Sequence, residues 1–306
     1  MISSEAAEVH AAAPLVDLHC DSVLRWRYLR RDLSRRGSPS RLPGRAGLGH
    51  ADLPRLRDGG VAVAVLGLPA PVTDAIAGPG VAEQLISAAH AAMATDGLTR
   101  ILAAEEDPAH AKSRGELRVV FGIEGAHLVG FDLSVLASWR ALGLRMVGPA
   151  HLVANVACQP SSRPSKADVP LSAYGRSLVE AIDAHGLVLD LAHMNRAGFV
   201  EALRLHRGPV LVSHTGVGSA HELWRNVTPE QARAVADRDG VIGIILFPAF
   251  LRAGLFGSVE DVVDHVKAAI GLVGVEHVAI GTDLDGGITL PAPMRDASDL
   301  PALTDA

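Results

Sequence analysis

Pro14-Leu15-Val16-Asp17-Leu18-His19-Cys20-Asp21 is an apolar run that climbs into an alternating Asp-x-His-x-Asp. It reads as a buried strand whose last residues turn polar. Side chains alternate faces along a strand, so Asp17, His19 and Asp21 share one face while Leu18 and Cys20 take the other. A two-residue step is about 6.6 Å, which lets an imidazole and a carboxylate reach one metal ion. A lone strand end of this kind is more simply explained by contact with water, because short motifs often match by chance. The pattern gains meaning because it recurs.

Outward from 14–19, seven more segments read as short buried strands: 61–68, 118–123, 145–150, 187–192, 209–213, 241–247 and 277–282. Helical periodicity fills 80–94, 132–142, 171–185, 195–206, 229–239 and 258–273. Near-continuous apolar strands alternating with helices mean a parallel sheet covered by helices. Eight such units in 306 residues predict a closed (β/α)8 TIM barrel forming one domain over residues 1–306, with an open doubly wound sheet as the alternative. Two stretches break the rhythm. Residues 25–49 carry Arg25, Arg27, Arg30, Arg31, Arg35, Arg36, Arg41 and Arg45 and are expected to form a solvated loop without an apolar anchor. Residues 152–170 form a second loop with little pattern of its own.

The strand ends repeat the opening theme. Glu124 closes the third strand and His151 follows the fourth. Asp190 and His193 end the fifth, Ser213-His214 the sixth, and Asp283-Leu284-Asp285 the eighth. In such barrels the C-terminal ends of the strands form the active site. A cluster of His and carboxylate side chains without Cys is the ligand set of a hydrolytic Zn²⁺ or similar divalent ion. Its size exceeds the three protein ligands of one catalytic zinc, and two metals sharing a carboxylate use it better. For His10, His50, His90, His110, His127, His185, His206, His221, His265 and His277 a hydrogen-bonded structural role is expected, with His127 the nearest to an exception. Competing motifs fail. An EF-hand beginning at Asp283 would need Glu where Met294 stands. Gly216-Val217-Gly218 lacks the Lys of a phosphate loop, and no Gly-x-Ser-x-Gly elbow surrounds Ser213.

Composition narrows the class. A formal net charge of −6 argues against nucleic acid as the main partner. No stretch approaches the 18 or more apolar residues of a membrane span. Met1 to Ala13 lacks the basic start and apolar core of a secretory signal. Two cysteines, Cys20 and Cys158, make no disulfide framework, so a cytoplasmic protein is expected.

Together these residues resemble the membrane dipeptidase (renal dipeptidase) family of zinc peptidases. The matching pieces are Asp17-Leu18-His19-Cys20-Asp21, the run from His50 through Asp52, Pro54 and Arg55 to Leu56, Gly122-Ile123-Glu124-Gly125, and Leu142-Gly143-Leu144-Arg145. They continue through Val188–His193, Ser213-His214, Arg225-Asn226 and Gly281–Gly286, in the family's order. The resemblance implies two Zn²⁺ ions, with His19 and Asp21 on one, His193 and His214 on the other, and Glu124 bridging. It implies that His151 polarises the scissile carbonyl, that Asp283 moves protons, and that Arg225 meets the substrate carboxylate. The implied reaction is dipeptide hydrolysis by a metal-bridging hydroxide, tolerant of a D-residue at the C-terminal position. Asp17, deeper on the strand, is expected to orient a histidine. A cyclic-amide hydrolase or deaminase on the same barrel, or a non-catalytic barrel, are the rival readings.

Three features depart from the family. Neither the signal nor the lipid anchor of mammalian relatives is expected, and Pro149-Ala150-His151 stands where relatives carry Leu-Thr-His. The sequence also stops at Ala306, in what looks like the start of the family's closing helix. Leu300 to Ala306 is too short to cover the eighth and first strands. An exposed apolar patch is therefore expected there, leaving the fold marginal or buried in a homodimer.

Overall fold

The eight apolar runs and one further short segment form nine parallel strands among the described residues: β1 (Leu15–Cys20), β2 (Val61–Pro69), β3 (Thr99–Ile101), β4 (Leu117–Glu124), β5 (Leu144–Gly148), β6 (Val188–Asp190), β7 (Val210–Thr215), β8 (Val241–Ile244) and β9 (Val278–Ile280). The computed structural model describes residues 2–69, 78–104, 106–161 and 168–306, so part of the 152–170 loop lies outside the described residues. The strands are joined in the order β2-β1-β9-β8-β7-β6-β5-β4, and β2 pairs with β4 from Val63↔Arg118 to Pro69↔Glu124, which closes an eight-stranded barrel. β2 and β4 are buried along their whole length, as strands covered on both faces must be.

The chain's helices are α1 (Ser4–Ala12), α2 (Val23–Leu29), α3 (Leu53–Asp58), α4 (Pro79–Asp96), α5 (Pro108–Ser113), α6 (Val135–Ala141), α7 (Ala173–Ala184), α8 (Arg196–Leu205), α9 (Pro229–Ala236), α10 (Pro248–Leu251), α11 (Val259–Val273) and α12 (Pro301–Asp305). The six helices with clear periodicity all form. The short ones went unpredicted because one or two turns carry no period. β3 was missed for the same reason; it pairs with Leu117–Val119 at the start of β4, outside the closed ring.

Inside the barrel, Val65, Val120 and Met146 pack with Val188 and Leu211 into an apolar plug. Glu124 lies two strand steps beyond Val120, and Asp190 one step beyond Val188. The polar mouth therefore stands on a dry floor.

Two expectations are corrected. The arginine-rich stretch 25–49 is anchored: Leu33 is buried, and so is Arg25, which bonds Asp52 Oδ2 at 3.1 Å. Asp52 also takes the Arg55 Nε–H at 2.8 Å and the Gly37 N–H at 2.8 Å, and it caps α3 by accepting the Arg55 N–H. Arg55 in turn reaches Asp296 at 3.3 Å. An arginine in this stretch is a core residue because a buried carboxylate meets it. The second correction concerns Leu300 to Ala306. It is not left to cover the barrel alone, because α1 packs against α12. The Asp305 carboxylate accepts the Ser3 N–H at 2.9 Å, and His10 bonds Thr304 at 2.8 Å. An apolar cavity of about 220 Å³ remains beside this pair, lined by Leu15, Val263, Val266, Ile280, Leu300 and Leu303 among others.

Candidate metal centre

Each strand delivers its polar residue as it leaves the ladder. β1 carries Asp17 and His19, with Asp21 just past its end; β4 ends on Glu124, and His151 follows β5. β6 ends at Asp190, two residues short of the predicted strand, because the chain turns sharply there and His193 has φ 63°. Asp283 and Asp285, after β9, also adopt positive φ, at 58° and 67°. Aspartate tolerates this region, but for histidine it is a strained choice of the kind kept at functional sites. The Asp283 N–H donates to His19 O at 2.9 Å and the Asp21 N–H to Leu284 O at 2.7 Å. These two bonds hold Asp21 and Asp283 across from each other. Gly67 of β2 makes room beneath them, since a Cβ there would stand 2.3 Å from Asp21 Oδ1.

His19, Asp21, His151, His193 and His214 converge on Glu124. Its Oε1 lies 2.9 Å from His193 Nε2 and 3.5 Å from His214 Nε2, and those two nitrogens are 2.8 Å apart. Its Oε2 lies 3.3 Å from His151 Nε2 and 3.8 Å from His19 Nε2. His19 Nε2 is 3.3 Å from Asp21 Oδ1. Three sets could each hold an ion: His19 with Asp21 and Glu124, Glu124 with His151 and His193, and His19 with His214 and Asp283. Apart from the half-buried His151, these donors are buried. Arg225 is buried too; it donates from Nη2 to His214 O at 3.1 Å and lies 5.4 Å from the centre of the Phe250 ring. His193 and Arg225 border a cavity of about 790 Å³.

Asp17 corrects its expectation. It orients no histidine ring. Its Oδ1 accepts the Thr282 N–H at 2.9 Å and the His19 N–H at 3.2 Å, and its Oδ2 takes the Thr282 hydroxyl at 2.7 Å. It sits where β1 pairs with β9, closer to backbone than to any ring, so it pins the strand carrying His19. His127, on a 3-10 turn at Ala126–Leu128, is bonded to none of the donors in the described geometry. His50 stands apart from the donors, where Asp285 Oδ1 accepts the N–H groups of Gly49 and His50, both at 2.6 Å. Sequence reasoning passed over Ser213 as a partner of the mouth. Its hydroxyl reaches Asp190 at 2.6 Å, and the only sign of it in the sequence was a polar residue beside His214 in an apolar strand.

The electrostatics suit a cation. Burial lowers the His193 and His214 pKa values well below normal, helped by Arg225 at His193 and by His19 at His214, which favours the neutral rings a metal ion requires. Burial also pushes Glu124 well above its usual range, with His19 opposing and Asp21 adding to the rise. Asp283 is raised to about 7 by burial and then by Asp21. For His19 burial is outweighed by Glu124 and Asp21, which raise it to about 10. Both ring nitrogens of His19, Asp21 Oδ1 and Glu124 Oε2 are buried without a hydrogen-bond partner. Orphaned buried donors and acceptors are costly, and a divalent cation would satisfy them together. The donor set of imidazoles and carboxylates fits zinc or a similar ion.

A (β/α)8 barrel with a polyhistidine–carboxylate mouth defines a metal-dependent hydrolase type of site. The chain belongs to the membrane dipeptidase family, peptidase family M19, whose family model it matches over residues 3–306. It is similar to the dipeptidase AC, a metallopeptidase of that family, with TM-score 0.83 and 26% identity over 95% of this chain and 90% of that one. It is also similar to a Rhodobacter sphaeroides metallopeptidase solved with a phosphinate mimic of the dipeptide L-Ala-D-Ala, with TM-score 0.82 and 25% identity over 95% and 91% of the two chains. Dipeptidase aclJ of Aspergillus oryzae is 29% identical over 193 residues, 62% of this chain and 46% of that protein. The match thus spans about half the length of the first curated relatives. No helix among the described residues is long and apolar enough to cross a membrane.

Proposed function

We propose that residues 1–306 form one catalytic domain that hydrolyses dipeptides with two zinc ions. His19 and Asp21 would hold one ion, His193 and His214 the other, with Glu124 between them. The observation that carries this reading is the division of the donors between the two oxygens of Glu124, with His193 and His214 at Oε1 and His151 and His19 at Oε2. When bound, such ions supply Lewis acidity and an activated water at neutral pH.

The chain's own groups supply the rest. Arg225 offers a planar guanidinium that grips the dipeptide's free carboxylate with two parallel hydrogen bonds, against the face of Phe250. Burial lowers its pKa only to about 10, so it stays charged at neutral pH. His151 stands at the half-open side of the cluster and donates a hydrogen bond to the carbonyl oxygen as negative charge develops there. Asp283, grouped with His19 and His214, would accept the water's proton and pass it to the leaving amine. A relative bound to an L-Ala-D-Ala mimic supports tolerance of a D-residue at the C-terminal position.

The test is metal analysis of protein purified without chelator, combined with assays of dipeptides, cyclic amides and nucleobases in added Zn²⁺. About two zinc ions per chain and turnover confined to dipeptides are expected. A folded protein that takes up no divalent metal, or that turns over only cyclic amides, would sink the proposal.

A further inference from the structure

We propose that Asp190 and Ser213 form a relay that fixes the tautomer of His214, making Ser213 a positioning residue of the metal centre. Asp190 Oδ2 receives the Ser213 hydroxyl at 2.6 Å, while Oδ1 accepts the N–H groups of Ser213 at 2.9 Å and Ala192 at 3.0 Å. A carboxylate can only accept, so the serine's single proton is committed to it. Ser213 Oγ also lies 2.9 Å from His214 Nδ1 and has only lone pairs left to offer. The proton of that bond must therefore sit on Nδ1. In a neutral imidazole this leaves Nε2 bare, and Nε2 is the atom that meets His193 Nε2 and Glu124 Oε1.

All three relay residues are buried, so water cannot take over the serine's role. Gly243 and Gly281 keep the segment tightly enclosed, because a Cβ at either would stand within about 2 Å of Ser213 O (2.0 and 1.8 Å). The order of the three groups excludes a serine nucleophile. The imidazole would have to lie between carboxylate and hydroxyl to take the serine proton, and here the hydroxyl lies between them. An outer partner of this kind sets ring orientation and ligand basicity, and its loss typically costs 10- to 100-fold in metal affinity.

The purpose of the relay rests on the two-zinc reading, but its geometry does not, and the test separates the two. Nitrogen-15 NMR of the histidine side chains at pH 8 reports the tautomer in the unmodified chain, with or without zinc. His214 is expected to carry its proton on Nδ1 in both states; a proton on Nε2 in the zinc-free chain overturns the relay. Competition for Zn²⁺ with a chromophoric chelator gives the second readout. Ser213→Ala should weaken one of the two zinc ions by about 10- to 100-fold and leave the other within about twofold. Equal affinities for both ions in the variant and the unmodified protein would also overturn the relay. If the unmodified protein binds no zinc, the metal reading fails, and the tautomer alone then decides the relay.

Discussion

At the scale of single residues, the proposed reading divides the site into groups that would hold a cation and groups that would face the substrate. Arg225, buried beside His214, is assigned to the second kind. Blocking the dipeptide's C-terminus as an amide should lower kcat/KM by about 10²-fold, from roughly 3 kcal/mol of charge-assisted bonding. Arg225→Met should abolish most of that preference for the free acid, and steady-state rates on the paired substrates measure it. Equal turnover of acid and amide by the unmodified protein would remove both this role and the dipeptidase reading. His151 is a sharper case, because its Nε2 is 3.3 Å from Glu124 Oε2 and within reach of an ion as well as of a carbonyl. His151→Asn should lower kcat by about 10²- to 10³-fold, the usual cost of one oxyanion donor. Its zinc content should be unchanged by elemental analysis; loss of an ion would make His151 a ligand.

At the scale of elements, the loops behind the mouth are held by buried polar groups with distant partners. Asp52 caps α3 and neutralises Arg25 and Arg55, both almost fully buried. Asp52→Ala leaves Arg25 without its carboxylate and Arg55 with Asp296 alone, and should cost about 3–5 kcal/mol in urea unfolding. A loss under about 1 kcal/mol would mean that water reaches the guanidinium groups. His265 of α11 ties two elements near Arg225. Its Nδ1 accepts the Val217 N–H at 2.9 Å and its Nε2–H donates to Leu251 O at 3.0 Å. Burial lowers its pKa from 6.5, with the Leu251 bond opposing. The native state therefore resists a proton that the unfolded chain accepts below about 6.5. Stability from this group is full above that pH and is lost as pH falls toward the depressed native value. His265→Gln keeps an acceptor and a donor but does not titrate, so its melting temperature should fall less steeply from pH 6.5 to 5 than that of the unmodified protein. Parallel slopes in a calorimetric series would show that His265 carries none of the dependence.

At the scale of the whole molecule, eight of the nine strands among the described residues and the six helices with clear periodicity were legible, for a physical reason. Parallel barrel strands are buried on both faces and so spell unbroken apolar runs such as Val61–Pro69. Covering helices must show one apolar stripe. The donors were legible because each interrupts such a run at its C-terminal end. The same architecture predicts that metal and fold are coupled, since ions bound only by the native barrel stabilise it by mass action. Zinc at about 100 times its dissociation constant should add roughly 2.7 kcal/mol per site. Calorimetry should show a melting temperature several degrees higher with zinc than with a chelator, and coincident curves would deny the coupling.

The sequence alone determined the strands, the longer helices, the direction in which the polar ends point and the residue types gathered there, because these depend on periodicity within a few neighbours. Only the tertiary structure decided which groups meet. Glu124 lies between two sets of donors because β2 pairs with β4 and closes the ring. Asp17 reaches Thr282, 265 residues away, because β1 lies beside β9. Asp190 reaches Ser213 because β6 lies beside β7, and Ser3 reaches Asp305 because both ends of the chain cover the same outer face. Such pairings leave no local trace, since a hydrogen bond constrains distance and direction in space and imposes no spacing along the chain.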